Sequence, residues 1–228
     1  MRPTLAILLL LLLPATAAAQ EANEPTERDR LLATSAKVNY ALDKWRYSGE
    51  FQVRLDEDMR ALNLWYVEGA VTNLRYPYFE LVPDLRFSVR PDRFETRPGL
   101  AAILKVTRPG WQLALQNKYQ ADIPSSGSTG HGVRQIAFAN WVWNKKLIPG
   151  LVGGYFYRWQ DDFSDVQFWR AGGGVTWVIN PAQSLNVSYF TGWENTGIEW
   201  TTSGFLLVQL NLNIRNDWRY VPAKIFSF

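Results

Sequence analysis

The chain holds a single histidine, His131, set between Gly130 and Gly132. Ser125, Ser126 and Ser128 precede it, and Asp161, Asp162 and Asp165 follow further along. Ser, His and Asp are the parts of a hydrolytic centre, where an oriented base activates a hydroxyl or a water. The spacing does not supply the orientation. Glycines on both sides of His131 predict a flexible loop, and no predicted strand carries a histidine. The sequence is therefore read as that of a non-enzyme. One histidine, no cysteine and scattered carboxylates predict neither a metal centre nor a cofactor. Asp161-Asp162-Phe163-Ser164-Asp165 is the one stretch that suits weak calcium binding.

A second set of charged residues is more informative because of its spacing. Glu80, Asp84, Arg86, Ser88 and Arg90 alternate with Phe79, Leu81, Leu85, Phe87 and Val89. Successive side chains of a strand point to opposite faces, so such a stretch has one polar and one apolar face. Repeated along the chain, the polar faces collect Glu50, Arg54, Glu80, Asp84, Arg86, Arg90, Glu95, Arg97, Lys105, Lys118, Arg158 and Arg170. Both signs are present, with cations in excess. If these residues line an enclosed lumen, they either pair with one another as a salt-bridged plug or form a narrow path favouring anions.

The elements that must position them are short alternating segments. Strands are predicted at about 46–56, 60–73, 78–91, 94–107, 110–121, 133–144, 149–160, 166–179, 184–194 and 203–215. Arg108-Pro109-Gly110, Asn180-Pro181-Ala182-Gln183 and the link 145–149 read as tight turns. They alternate with more polar links at 122–132, 160–165 and 194–202. The fold expected is all-β: a closed antiparallel transmembrane β-barrel of ten strands, with eight or twelve as alternatives. Short periplasmic turns and longer outer loops are expected, with both termini on the periplasmic side. Ala171-Gly172-Gly173-Gly174 and Gly153-Gly154 fall inside strands, where glycine marks a bend or a recess. The aromatics (eleven Trp, ten Tyr and twelve Phe) suit girdles at two water–lipid interfaces. Tyr155, Tyr157 and Trp159, on one strand face, belong to that reading rather than to a sugar site.

The start of the chain agrees. A charged Met1-Arg2, an apolar run from Leu5 to Leu13 and Ala17-Ala18-Ala19 read as a secretory signal over 1–19. Residues 20–45 are expected to be a periplasmic lead, disordered or part helical, with Leu31, Leu32, Val38 and Leu42 as a stripe. The barrel is assigned to 46–228. A formal charge of +3 without a basic run argues against nucleic-acid binding.

The ending Lys224-Ile225-Phe226-Ser227-Phe228 resembles the carboxy-terminal signal of bacterial outer-membrane proteins, with apolar residues at alternate positions before a terminal aromatic. Trp169-Arg170-Ala171-Gly172-Gly173-Gly174-Val175, then Asn180-Pro181 and Ser184 to Tyr189, resembles the last strands of poorly characterised small outer-membrane barrels, some of them described as transporters. The resemblance implies a Gram-negative outer membrane, with its lipid and lipopolysaccharide and the barrel-assembly machinery as partners. The function expected is a narrow channel or transport-related barrel for small polar or anionic solutes. The alternatives are a structural or adhesive barrel with a plugged lumen, an outer-membrane hydrolase, and a soluble lipocalin-like barrel of opposite polarity.

Overall fold

The computed structural model describes residues 28–223 except 57, 58, 145, 162, 196 and 220. Eleven strands follow one another around a closed barrel: β1 (Arg28–Asp43), β2 (Trp45–Asp56), β3 (Ala61–Asn73), β4 (Phe79–Val89), β5 (Phe94–Arg108), β6 (Trp111–Pro124), β7 (Gly130–Trp141), β8 (Leu147–Gln160), β9 (Phe163–Asn180), β10 (Gln183–Asn195) and β11 (Trp200–Trp218). Each strand pairs antiparallel with its sequence neighbours. The barrel is closed by β1 and β11, which run parallel, with Leu32 beside Leu206 and Val38 beside Leu212.

The expected ten strands become eleven because residues 28–43 belong to the wall and not to a lead. In this barrel β2 and β11 do not pair with each other, and β1 fills the place between their edges. An unpaired edge presents a row of free N–H and C=O groups, and β1 covers both edges at once. An odd meander can close only through a parallel pair. It therefore begins and ends at opposite mouths, against the expectation of termini on one side.

Connectors after β1, β3, β5, β7 and β9 lie at one mouth, here called the tail mouth because β11 also ends there. Pro109-Gly110 and Pro181-Ala182 form its tight turns, and Gly110 adopts the left-handed backbone that glycine tolerates. The links read as longer gather at the opposite, far mouth, but they are short. β6 runs through Pro124 and β7 starts at Gly130, which leaves only 125–129 between them. Asp161 and Asp162 alone join β8 to β9, and 196–199 join β10 to β11. The polar ends of these strands keep their ladder hydrogen bonds past the apolar zone, so what reads as loop is strand.

Burial alternates along every strand. The outward positions are apolar, with Leu85 at 55% and Leu151 at 56% exposure, and the inward ones hold the charges. Outward aromatics form two collars. Trp45, Tyr76, Tyr78, Trp111, Trp141 and Trp177 ring the tail mouth. Near the far mouth Phe87 stacks on Phe94, and Trp169 on Trp193 with centroids 3.9 Å apart. Val67, Leu85, Leu100, Leu104, Leu151, Val175 and Val187 fill the zone between the collars.

The glycine patches serve close packing rather than a recess. Gly150 pairs with Gly174 and Val152 with Gly172 across β8 and β9. A Cβ on Gly172 would lie 2.1 Å from the Tyr189 carbonyl oxygen on β10, so the backbone itself occupies that space.

Candidate functional site: the barrel lumen

The site is the barrel interior, which the alternation builds from every strand. Its lower half, from the middle to the tail mouth, is a cavity of about 560 Å³. Lys37, Arg46, Asp84, Lys118, Asn186 and Gln209 are among the side chains facing it, and Asn180 and Asn216 stand at its rim. Among the charged residues facing this cup, Lys37, Arg46, Arg86, Lys118 and Arg134 outnumber Glu68 and Asp84. The cup therefore carries excess positive charge.

Its wall is held by ion pairs between neighbouring strands. Arg86 Nη2 lies 2.7 Å from Glu68 Oε2, and Lys118 Nζ lies 2.7 Å from Asp84 Oδ1. Glu50 is a junction. Its Oε1 accepts from Gln52 Nε2, Tyr66 Oη and Gln209 Nε2 at 3.1–3.3 Å, and its Oε2 faces Lys37 Nζ at 3.3 Å. Those donors stand on β1, β2, β3 and β11, so one carboxylate spans the parallel seam. A buried polar group needs hydrogen-bond partners, and the two oxygens of Glu50 have four.

A layer of alternating arginines and rings forms the floor of the cup. Arg86 lies over Tyr66 at 3.9 Å, and Arg54 over Tyr66 and Phe205 at 5.7 and 5.4 Å. Arg170 lies over Phe205 and Phe168 at 5.5 and 4.6 Å. Arg134 lies over Phe168 and Phe156 at 5.6 and 5.3 Å. The order Arg86–Tyr66–Arg54–Phe205–Arg170–Phe168–Arg134–Phe156 runs unbroken across the lumen. Tyr66, Phe205 and Gln52 are fully buried there or nearly so. A ring face attracts a cation, by about 2 kcal/mol or more once water is excluded. Among the described residues Arg54 has no carboxylate within ion-pair distance; it donates from Nε to Gln52 Oε1 at 2.6 Å, and two rings flank its charge.

Beyond this belt, toward the far mouth, a second layer is built mainly from charged and amide side chains. Arg97 bridges Glu95 at 2.7 Å and Asp122 at 2.5 Å. Arg158 Nη2 lies 3.8 Å from Asp122 and donates to Gln160 Oε1 at 2.5 Å. Arg90 Nη1 donates to Asn63 Oδ1 at 3.1 Å.

The structure brings Glu50, Arg54, Glu80, Asp84, Arg86, Arg97, Lys105, Lys118, Arg158 and Arg170 onto the inner face, with Arg90 at the far-mouth end of β4. It divides them by level. Lys105 and Glu80 pair at 2.5 Å near the tail mouth, Arg54, Arg86 and Arg170 make the belt, and Arg90, Arg97 and Arg158 cluster beyond it. Sequence reasoning missed the rings of the belt, Arg134 between two of them, and Glu68 beneath Arg86. Parity was the signal. Phe168 shares a face with Arg170, Tyr66 with Glu68 and Phe156 with Arg158, so these rings stand on the polar side of their strands.

His131 is on β7 and not in a loop. It points outward, its Nδ1 2.8 Å from Tyr119 Oη and its ring stacked between Tyr119 and Trp159 at 6.2 and 6.0 Å. It thus belongs to the far collar. Ser128 bonds Asp161, and Asp165 Oδ2 accepts from Asn195 Nδ2 at 3.3 Å. Neither aspartate lies in contact with His131 among the interactions described. No group of three His, Cys, Asp or Glu side chains suited to a metal ion occurs among the described residues. No family model matches the chain, and a search of curated proteins finds no match.

Proposed function

We propose that the chain is a Gram-negative outer-membrane β-barrel whose lumen is a cation-rich cup for a small polar or anionic solute, closed toward the far mouth by the arginine–aromatic belt. One observation carries the membrane reading: ion pairs such as Lys105–Glu80 and Arg86–Glu68 lie inside, while the outer surface is apolar between two aromatic collars. Water on that outside would leave a continuous apolar surface wet around the whole barrel. Hydrocarbon satisfies it, and a closed barrel is the one β-structure whose backbone leaves no free hydrogen-bonding edge in lipid. Strands of 11–19 residues suffice to cross a bilayer at a tilt. A lipocalin-like barrel has the reverse polarity. In this reading the tail mouth faces the periplasm, where bacterial barrels carry tight turns.

The cup supports the transport-related reading, and the belt of guanidinium groups and rings is the reason to read its resting state as closed. Two experiments test this. Purified protein is expected to need detergent and to migrate faster on a gel before boiling than after. A protein that stays monodisperse in plain buffer ends the membrane reading. In planar bilayers the wild type is expected to show no steady conductance, and the doubly substituted Phe168→Ala/Phe205→Ala barrel to show one. A second reading, a structural barrel with a plugged lumen, is favoured by the belt itself and predicts silence from both proteins. An adhesive role has little support, since no connector at the far mouth exceeds five residues.

A further inference from the structure

After β11 the chain turns back into the barrel. Residues 221–223 lie inside the cup and face it. Ala223 is 4% exposed and packs in the interior cluster with Ile103, Ala114 and Phe138. Three neighbouring strands hold this segment by its backbone. Lys105 Nζ, on β5, donates to the Val221 carbonyl at 2.5 Å. Gln112 Nε2, on β6, donates to the Pro222 carbonyl at 3.3 Å. Glu80 Oε1, on β4, accepts from the Ala223 N–H at 2.8 Å. Lys105 and Glu80 are themselves buried and paired.

We propose that Glu80, Lys105 and Gln112 form a receptor for a peptide backbone, that its occupant is the chain's own segment 221–223, and that this segment controls entry to the cup. The set has the chemistry of a backbone clamp. Two donors meet the carbonyls of Val221 and Pro222 and one carboxylate oxygen meets the Ala223 N–H, so consecutive backbone groups are bonded by side chains of three strands. None of the three contacts reads a side chain, and the pocket beside them takes a residue as small as alanine. Lys105 and Glu80 satisfy one another's charge, but one buried ion pair does not use all their hydrogen-bonding capacity. The peptide groups take up part of it, the Val221 carbonyl on Lys105 Nζ and the Ala223 N–H on Glu80 Oε1, which favours the docked state. Val221, Pro222 and Ala223 line the cup beside Lys105 and Glu80 near the tail mouth, so their docking or release changes the space a solute meets there. This inference depends on the barrel alone and not on its lying in a membrane.

The test uses the full chain, which has no cysteine of its own. Single cysteines are placed by Ala223→Cys, by Ala70→Cys in the cup and by Asp92→Cys on an exposed connector. Reaction with a small thiol reagent is followed in the folded barrel. The Ala223→Cys thiol is expected to react more than about tenfold slower than Asp92→Cys, which corresponds to docking worth about 1.4 kcal/mol or more. Adding Glu80→Gln with Lys105→Met removes both charges together, so neither is left buried alone. In that background Ala223→Cys is expected to approach the rate of Asp92→Cys, and Ala70→Cys to speed up. If the double variant does not fold, Gln112→Leu removes one donor while leaving the ion pair, and a smaller rise at both sites is expected. Fast labelling of Ala223→Cys in the otherwise unchanged barrel overturns the clamp. Faster Ala223→Cys labelling with Ala70→Cys unchanged overturns control of the cup. Because these readings come from labelling alone, they remain decisive whether or not the protein conducts.

Discussion

The two halves of the lumen wall solve the problem of an enclosed polar space differently. The half built by β2–β6 carries Glu50, Glu68, Glu80, Asp84, Arg86, Glu95, Arg97, Lys105, Lys118 and Asp122 on its inner face, nearly all of them paired. The half built by β7–β11 carries Phe138, Phe156, Phe168, Phe190, Phe205 and Leu207. It also holds most of the inward glycines. A Cβ on Gly132 would lie 2.3 Å from the Phe156 ring. On the charged half, long side chains bend until they meet, and the inward Gly99 leaves room for one such pair, with Lys118 Cε and Asp84 Oδ1 2.6 and 2.7 Å from where its Cβ would lie. On the aromatic half the rings are rigid, and the backbone gives way by losing its Cβ atoms. The belt is where the halves meet. Two of its arginines have a carboxylate on one side and a ring on the other, Arg86 with Glu68 and Tyr66 and Arg170 with Glu194 and Phe168, while Arg54 and Arg134 each lie between two rings.

The largest effect is expected where the charged half loses one partner. Arg86→Ala leaves Glu68 buried without its cation and strips Tyr66 of its guanidinium, for a loss of about 3–5 kcal/mol. Reversible urea unfolding of the refolded barrel measures it. Arg86→Met with Glu68→Gln is expected to recover most of the loss, because no lone charge is left. The aromatic half breaks through volume instead. Gly132→Ala drives a methyl into the Phe156 ring and is expected to cost about 1–3 kcal/mol. The matched substitution Gly69→Ala on β3 meets nothing within 4 Å and faces outward. It is expected to gain about 0.5–1 kcal/mol, from a stiffer unfolded chain and better strand entropy. Equal losses at Gly69 and Gly132 would remove the distinction between the halves. The smallest effect belongs to an ion pair outside the lumen. Arg215 bonds Asp217 at 2.8 Å with both side chains half exposed, and Arg215→Ala is expected to leave the unfolding midpoint unchanged.

Ten strands were legible because alternation is a direct consequence of the pleat and needs no tertiary information. β1 hid because its alternation is confined to a short middle stretch. Ser35, Lys37 and Asn39 face in against Ala36, Val38 and Tyr40 facing out, but Leu31, Ala33 and Ala41 on the inner face and Thr34 on the outer one break the contrast on both sides. Its place is fixed by the edges it must cover, and that is a property of the whole sheet. The strand ends at 122–124, 130–132, 160 and 163–165 hid for a related reason, since polar residues read as loop once they leave the apolar zone. The charged lumen was legible for the same reason as the strands. The belt was not, because Phe156, Phe168 and Phe205 have the same residue type as the outer collars and differ only in parity. The tail contacts at Glu80, Lys105 and Gln112 left no local trace, since each is a pairing with backbone over more than 100 residues of separation.

The parallel seam between β1 and β11 restricts how this polypeptide can be rewired. A meander with an even number of strands has neighbouring ends, and a few added residues suffice to circularise it. Here Arg28 and Trp218 stand at opposite openings, so any linker joining them must travel the full height of the cylinder, along its oily flank or through its occupied bore. For the same reason, reporters fused to the two ends of the cylinder will emerge in different compartments wherever it is embedded.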